Sequence, residues 1–527
     1  MSTKQTFDSI ELGILWSRLI AIVDEAGSTL QRSAFSSVTR ESADFAVVLM
    51  NARGESLAQS SVSVPSFLGV MPFLVKALVR DHFPLSAWQP GDVVITNDPW
   101  LCAGHKPDIG IVTPVFHEKS TLIGFFGCIA HSPDIGGTLW GANARDYYEE
   151  GLHIPPQKLI VGGVLNTALV DIIRQNVRAA DQTLGDILAQ VSANDQGIRS
   201  LERMMAENKL ADISSLGEEI IRVSERAMRA AITEAPDGIY SAVYTADGDG
   251  LGHPVRLECS LSIKGDRIHI DYAGTSPEHP LAINAVLNYV FAYSAYPVKC
   301  VFSPDIPNNE GSFRPISVSA PEGSLLNARK PAPLGARNVT GNLLYAPIML
   351  ALSQAVPDRV QADCGAAVWV MVLSGKNNFG KEFVSYLFLA GGYGGRMGSA
   401  GENTLCYPTN VANVPIEVFE QDAPVLVTRK ELLRNSGGIG KYQGGMGQRF
   451  AYRNAGTLPI HISNVTEKLT YGAYGLFGGQ PGRKGRLYVL NTLGKKRFTP
   501  PKGHDTLLPG EELVMELPGG GGYGAPE

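Results

Sequence analysis

The 527-residue chain has no run of about 18 apolar residues, so it offers no candidate membrane helix. Its first stretch, MSTKQTFDSIELGILWSRL, interleaves Asp, Glu and Arg with apolar positions and so lacks the core of a secretory signal. The expectation is a cytoplasmic protein. Cysteine is sparse: Cys102, Cys128, Cys259, Cys300, Cys364 and Cys406 contain no C-x-x-C pair, which argues against a zinc knuckle or a disulfide framework. Charge is also scarce, at 18% of residues with a net of −6, and no basic stripe runs with aromatics along any segment. That speaks against nucleic-acid binding and leaves room for a protein partner surface. The segment Ser436-Gly437-Gly438-Ile439-Gly440-Lys441-Tyr442 is no phosphate loop, because Asn435 takes the first-glycine position and Tyr442 replaces the magnesium-holding Ser/Thr. A G-x-S-x-G elbow is missing too, which removes the usual serine-hydrolase signature.

Apolar residues at Leu15, Leu19, Ile22, Val23, Ala26 and Leu30 recur at helical spacing and predict a helix over about 8–32, with Asp8 and Glu11 at its start. Segments 44–50, 92–96, 109–116 and 121–130 are β-branched and aromatic between Gly, Pro or Asn, as short buried strands are. Helical periodicity takes over from Asn166 to about Ile232. A hairpin follows, 255–263 and 268–272 around Lys264-Gly265-Asp266. Segment 339–355 reads as a helix, and 366–374 and 383–390 read as strands. The expected class is mixed α+β, multi-lobed, with an N-terminal α/β lobe (1–165), a helical region (166–235) and a C-terminal lobe with Gly-rich loops (236–527). Those loops, at 391–395, 444–447 and 519–524, suit tight turns or an anion cradle.

Potential ligands concentrate in the first third: Asn97-Asp98-Pro99, His105-Lys106-Pro107-Asp108 and His131-Ser132-Pro133-Asp134. His105 and Asp108 stand at the mouth of one predicted strand and His131 at the end of the next. Antiparallel pairing of the two brings all three together. Two imidazoles and a carboxylate suit zinc, manganese or iron, with Asp44 as a fourth ligand from an earlier strand. The same pattern also fits strand-end histidines with aspartates serving turns before glycines. Cys102, near His105, is a buried thiol or a nucleophile. Arg329, Arg337 and Arg396 lie in loops between apolar segments, suited to hold an anion, with a solvated surface position as the ordinary alternative.

A set of ordered landmarks spans nearly the whole chain: Asp44-Phe45, Leu68-Gly69, Asn97-Asp98-Pro99, His105-Lys106-Pro107-Asp108, Asp134-Ile135-Gly136-Gly137, Glu149-Glu150-Gly151-Leu152, Ser436-Gly437-Gly438 through Gly444-Gly445, and the closing Pro518-Gly519-Gly520-Gly521-Gly522-Tyr523-Gly524. In order and spacing they resemble the hydantoinase B/oxoprolinase family. The resemblance implies a catalytic subunit working with a hydantoinase A-type partner in a hetero-oligomer such as A₂B₂. The partner uses ATP to phosphorylate a cyclic amide, and this chain completes ring opening. It further implies a divalent metal on Asp44, His105, Asp108 and His131, with Asp134 or Glu150 as the general base. Related subunits in ketone carboxylases imply the alternative of carboxylation, and a scaffold without catalysis is a further alternative. Phe67 and Ser132 stand where relatives often carry histidine, Ser42 where an arginine is common, and 397–401 lacks a common acidic residue. These changes strip polar groups from the expected substrate walls.

Overall fold

The computed structural model describes residues 7–526 apart from 68 and 119; Leu68 and residues 1–6 of the opening stretch lie outside the described residues. The first predicted helix forms as Ser9–Ser33, with Leu15, Leu19, Ile22, Val23, Ala26 and Leu30 all buried. Asp8 caps it, its Oδ1 accepting from the backbone N–H of Ile10 and Glu11 at 2.8 Å each. Two amides that a helix start leaves unpaired are thereby satisfied, worth about 1 kcal/mol.

The predicted strands assemble into a seven-stranded sheet of β1 (Phe45–Asn51), β2 (Ser56–Gln59), β3 (Val93–Thr96), β4 (Asp108–His117), β5 (Thr121–His131), β6 (Gln157–Val161) and β7 (Val164–Leu165), in the order β2-β1-β5-β4-β3-β6-β7. Neighbouring strands run antiparallel. Strand side chains alternate between faces, so Phe45, Val47 and Leu49 enter one core while Ala46, Val48 and Met50 enter another. The first core is closed by helices Ser9–Ser33, Ala180–Glu207 and Ser214–Thr233, the second by Val70–Ala77 and Leu287–Phe302. With both faces covered, the inner strands read as continuous apolar runs. Gly197 permits a close helix–sheet approach: a β-carbon there would stand 2.4 Å from the Phe126 ring.

The helical stretch expected after Asn166 comprises Thr167–Asn176, Ala180–Glu207 and Ser214–Thr233. A four-stranded sheet follows, of β8 (Gly238–Ala246), β9 (Val255–Lys264), β10 (Arg267–Asp271) and β11 (Ile316–Ser319); β9 and β10 are the predicted hairpin. The helix expected over 339–355 is instead two, Arg337–Gly341 and Tyr345–Leu352. Pro347 explains the break, because proline has no N–H for a continuing helix and fits in the first turn of a new one. The remaining strands form two sheets. One joins β12 (Trp369–Lys376), β13 (Glu382–Leu389), β16 (Ile460–Val465) and β19 (Lys502–Leu507). The other joins β14 (Val425–Leu432), β15 (Gln448–Asn454), β17 (Arg486–Leu490), β18 (Lys496–Arg497) and β20 (Glu512–Glu516). The α+β class read from the sequence is the class observed.

The Gly-rich segments form more than turns. They lie against one another backbone to backbone, with Gly392 N–H donating to Pro518 O, Gly395 to Gly521 O, Gly438 to Gly520 O and Gly520 to Gly445 O. A β-carbon at Gly520 would stand 2.0 Å from Tyr393 O. Those amides are committed to carbonyls and are not free to cradle an anion. Among the described residues no helix is long and apolar enough to cross a membrane.

Candidate metal centre

The register of the central hairpin builds the site. Asp108 opens β4, His131 closes β5, and the two face each other as a directly paired couple. Asp44 directly precedes β1, and its carbonyl accepts from His131 N–H at 3.1 Å. His105 comes from the loop before β4. That loop is pinned by Asn97, whose Nδ2 donates to Lys106 O at 2.8 Å and to Leu152 O at 3.0 Å.

His105, Asp108 and His131 are all buried, and one potential ligand atom from each lies within 4.8 Å of the others. Asp108 Oδ1 is 2.9 Å from His105 Nε2 and 2.9 Å from His131 Nδ1. His105 Nδ1 donates to Gly335 O at 2.8 Å, which fixes the tautomer and leaves a lone pair on Nε2. Burial, followed by the charge of Arg337, lowers His105 to about 4. Burial would raise Asp108, yet His105 and Arg337 overcome it and hold the carboxyl well below the usual carboxylate range. Nε2 of His105 and Nε2 of His131 are both buried without a hydrogen-bond partner. Buried polar atoms of this kind ordinarily find one. This donor set fits a divalent cation, which would satisfy the open imidazole nitrogens and the carboxylate together. Asp44 borders the same cavity without joining the three-residue cluster. Burial raises it to about 6, opposed by His131 and reinforced by Asp108.

The cavity measures about 40 Å³, and its walls include Val64, Val368, Val370, Phe388, Val411, Tyr289 and Tyr293. Trp140 packs edge-on against both imidazoles, with ring centroids 5.8 Å from His105 and 4.8 Å from His131. A second, smaller cavity of about 20 Å³ shares Trp140 and is lined by Glu150, Asp134, Gly335 and Tyr386.

The two candidate bases differ in their surroundings. Asp134 Oδ1 pairs with Arg178 at 2.7 Å, and its Oδ2 accepts from the backbone N–H of Gly136 and Arg178. Its carboxylate is thus committed to the cavity wall. Glu150 Oε1 accepts from the N–H of Leu334 and, at 2.6 Å, of Gly335, while Oε2 is buried without a partner. Burial raises Glu150 to about 7 against those bonds and Lys106. Because Gly335 O also receives His105 Nδ1, Glu150 and His105 are positioned by one residue.

Of the three arginines read as able to hold an anion, Arg337 does so, and from a buried position rather than the solvated one expected by default. It is 4% exposed, donates to Asp108 Oδ2 and Ala103 O, and lies 4.1 Å over the Tyr289 ring. Its setting carried a signal, since 332–352 is otherwise free of charge and a lone arginine in such a run is buried with it. Arg329 and Arg396 keep side chains 62% and 51% exposed, the surface state expected by default. Trp140 and Tyr386 had no signal, since the loop and strand that deliver them are distant in sequence. Cys102 is fully buried, and that burial pushes its thiol far above a nucleophile's range.

The whole chain, residues 8–526, matches the hydantoinase B/oxoprolinase family. The chain belongs to that family. A protein of Pseudomonas sp. strain NS671, provisionally named as the B-type component of a D-/L-hydantoinase, is 32% identical over 98% of this chain and 90% of its own length. The crystal structure of the ATP-dependent caprolactamase from Pseudomonas jessenii superposes with a TM-score of 0.90 at 26% identity, covering 99% of this chain and 92% of that one. A nucleotide-free acetone carboxylase structure shares the fold, with a TM-score of 0.89 at 18% identity over 98% of this chain and 76% of its own. The hydantoinase component and the caprolactamase both carry names from cyclic-amide chemistry.

Proposed function

We propose that this family member is the ring-opening subunit of an ATP-dependent amidohydrolase. An A-type partner binds ATP and phosphorylates a hydantoin, lactam or oxoproline-like ring, and this chain opens it within a hetero-oligomer. The observation that carries the reading is the pair of buried imidazole Nε2 atoms without partners, converging with Asp108 beside a partly open cavity.

His105, Asp108 and His131, flanked by Asp44, would hold zinc, manganese or iron. Such a cation supplies Lewis acidity, polarising the amide-derived carbon and lowering the pKa of water. The chain's own residues do the rest. Gly335 O orients His105, Arg337 keeps Asp108 ionised, and the apolar walls exclude bulk water. Water oxygen adds to the former carbonyl carbon, the ring C–N bond breaks as the nitrogen takes a proton to leave a ring-opened acyl phosphate, and a second water cleaves that acyl phosphate to the carboxylate and inorganic phosphate. Glu150, raised by burial to about 7 and open at Oε2, is the carboxyl suited to carry the proton to the ring nitrogen. Asp134, held by Arg178, supports the wall beside it.

The test is the purified chain with its ATP-binding partner, supplied with hydantoin, lactam and ketone panels with and without bicarbonate. Ring-opened product formed with ADP, independent of bicarbonate, is the expected result. Bicarbonate-dependent consumption of a ketone would overturn the hydrolase reading in favour of carboxylation.

A further inference from the structure

Resting on that reading, one wall of the cavity offers a hydrogen-bond donor that the steps above leave unused. Tyr289 stands in the first turn of the helix Leu287–Phe302, whose start is fastened to the segment leading into His105: Asn288 Nδ2 donates to Cys102 O at 2.5 Å. Arg337 lies 4.1 Å over the Tyr289 ring. A β-carbon at Gly341 would stand 2.4 Å from that ring, and one at Gly104 would stand 3.1 Å from Tyr289 Cβ. The ring fits because both positions lack a side chain, and it is held in one place by what surrounds it.

Its hydroxyl is not used by the fold. Tyr289 is buried and lines the cavity, yet Oη makes no hydrogen bond of normal geometry. Tyr293, a polar neighbour, approaches it as a donor and so leaves the Tyr289 proton unplaced. Buried hydroxyls ordinarily find a partner, and an exception beside a reactive centre points to a ligand. Among the described residues of these walls, Asn338 also carries an unpaired buried atom outside the metal cluster, but that atom is Oδ1, an acceptor. Burial raises the Tyr289 phenol to about 12, with Asp108 and Asp44 adding to the shift and Arg337 opposing it, so the proton stays on Oη at neutral pH.

We propose that Tyr289 is a further catalytic residue, whose Oη–H donates a hydrogen bond to the oxygen that gathers negative charge as water adds to the reacting carbon. The proton remains on the tyrosine throughout, and no bond to carbon or phosphorus forms at Oη. A cavity of about 40 Å³ admits only the reacting end of a substrate, which keeps the oxygens on that carbon close to its walls. A donor fixed in advance within a buried site needs no reorganisation as the charge develops, and losing one such donor slows acyl chemistry by about 100-fold or more.

Tyr289→Phe tests this in the full chain assembled with its ATP-binding partner and supplied with hydantoin, 2-pyrrolidinone and 5-oxoproline. Phenylalanine keeps the ring that Arg337 covers and removes only a hydroxyl with no bond to lose. Melting temperature and metal content should therefore equal the parent's. For whichever ring the parent opens, kcat should fall about 100-fold while KM stays within about threefold.

Parental kcat in Tyr289→Phe overturns the inference and leaves the ring-opening reading standing. A raised KM with kcat retained overturns it too, because that pattern belongs to a group that binds substrate and transition state equally. So does a loss of melting temperature or of metal, which would assign the hydroxyl to the fold or to the ligand set. A parent pair that opens none of these rings defeats the ring-opening reading itself, and the role of Tyr289 falls with it.

Discussion

Nε2 of His105 and Oδ1 of Asp108 lie 2.9 Å apart, both buried. With the His105 proton committed at Nδ1 to Gly335 O, two electron-rich atoms face each other in a buried pocket. A divalent cation held by these residues would relieve that contact. The protein as purified is therefore expected to carry divalent metal, read by elemental analysis. His105→Ala and His131→Ala each should reduce that content and cut ring opening by at least about 100-fold. ADP formation by the partner should partly persist. Unchanged coupled turnover in His105→Ala would instead favour a scaffold without catalysis.

Arg337 holds Asp108 through a bond buried on both sides, with side chains 4% and 1% exposed. Removing one partner of such a pair leaves the other charge without compensation. Arg337→Met is expected to lower stability by about 3–5 kcal/mol. Arg337→Lys should not restore it, because an ammonium reproduces neither the fork that reaches Ala103 O and Asp108 nor the flat stack on Tyr289. Thermal unfolding of the two variants beside the parent checks both statements.

Asp134 and Glu150 separate in a single assay. Because both Asp134 oxygens are engaged by Arg178 and Gly136, Asp134→Asn should lower the melting temperature yet leave ring-opened product per ADP close to the parent's. A collapse of that ratio with the fold intact would return the general-base role to Asp134.

The antiparallel pairing that joins Asp108 and His131 was legible because both flanking strands carry strong apolar patterns and share one short turn, so register follows from loop length. His105 came with them, being only three residues from Asp108. Distant partners were hidden. Arg337 reaches Asp108 from 229 residues away and Trp140 reaches the imidazoles from a loop without regular structure, and no local periodicity encodes such approaches. Glu150 was named from the family landmarks, but its raised pKa follows from burial, opposed by the 334 and 335 backbone N–H groups, which only the fold creates. The Gly-rich segments were legible as turns, whereas their mutual stacking depends on contacts between segments more than a hundred residues apart, such as Gly392 with Pro518.

Glu150 gives a dependence on pH whose sign can be worked out. Its folded value, about 7, lies above the ordinary glutamate value of 4.5, so the folded state binds the proton more tightly than the unfolded chain. The resulting stabilisation is complete below about pH 4.5 and is lost as pH rises through 7, a difference of about 3 kcal/mol if the whole shift is realised. Glutamine keeps the acceptor that serves Leu334 and Gly335 but cannot ionise. Glu150→Gln should therefore match the parent's melting temperature at pH 5 and exceed it at pH 8 to 9, while ring opening falls at every pH because the transferable proton is gone. Equal melting temperatures across that range would show that Glu150 ionises in the fold as it does in water, and the proton-carrying role would fall with it.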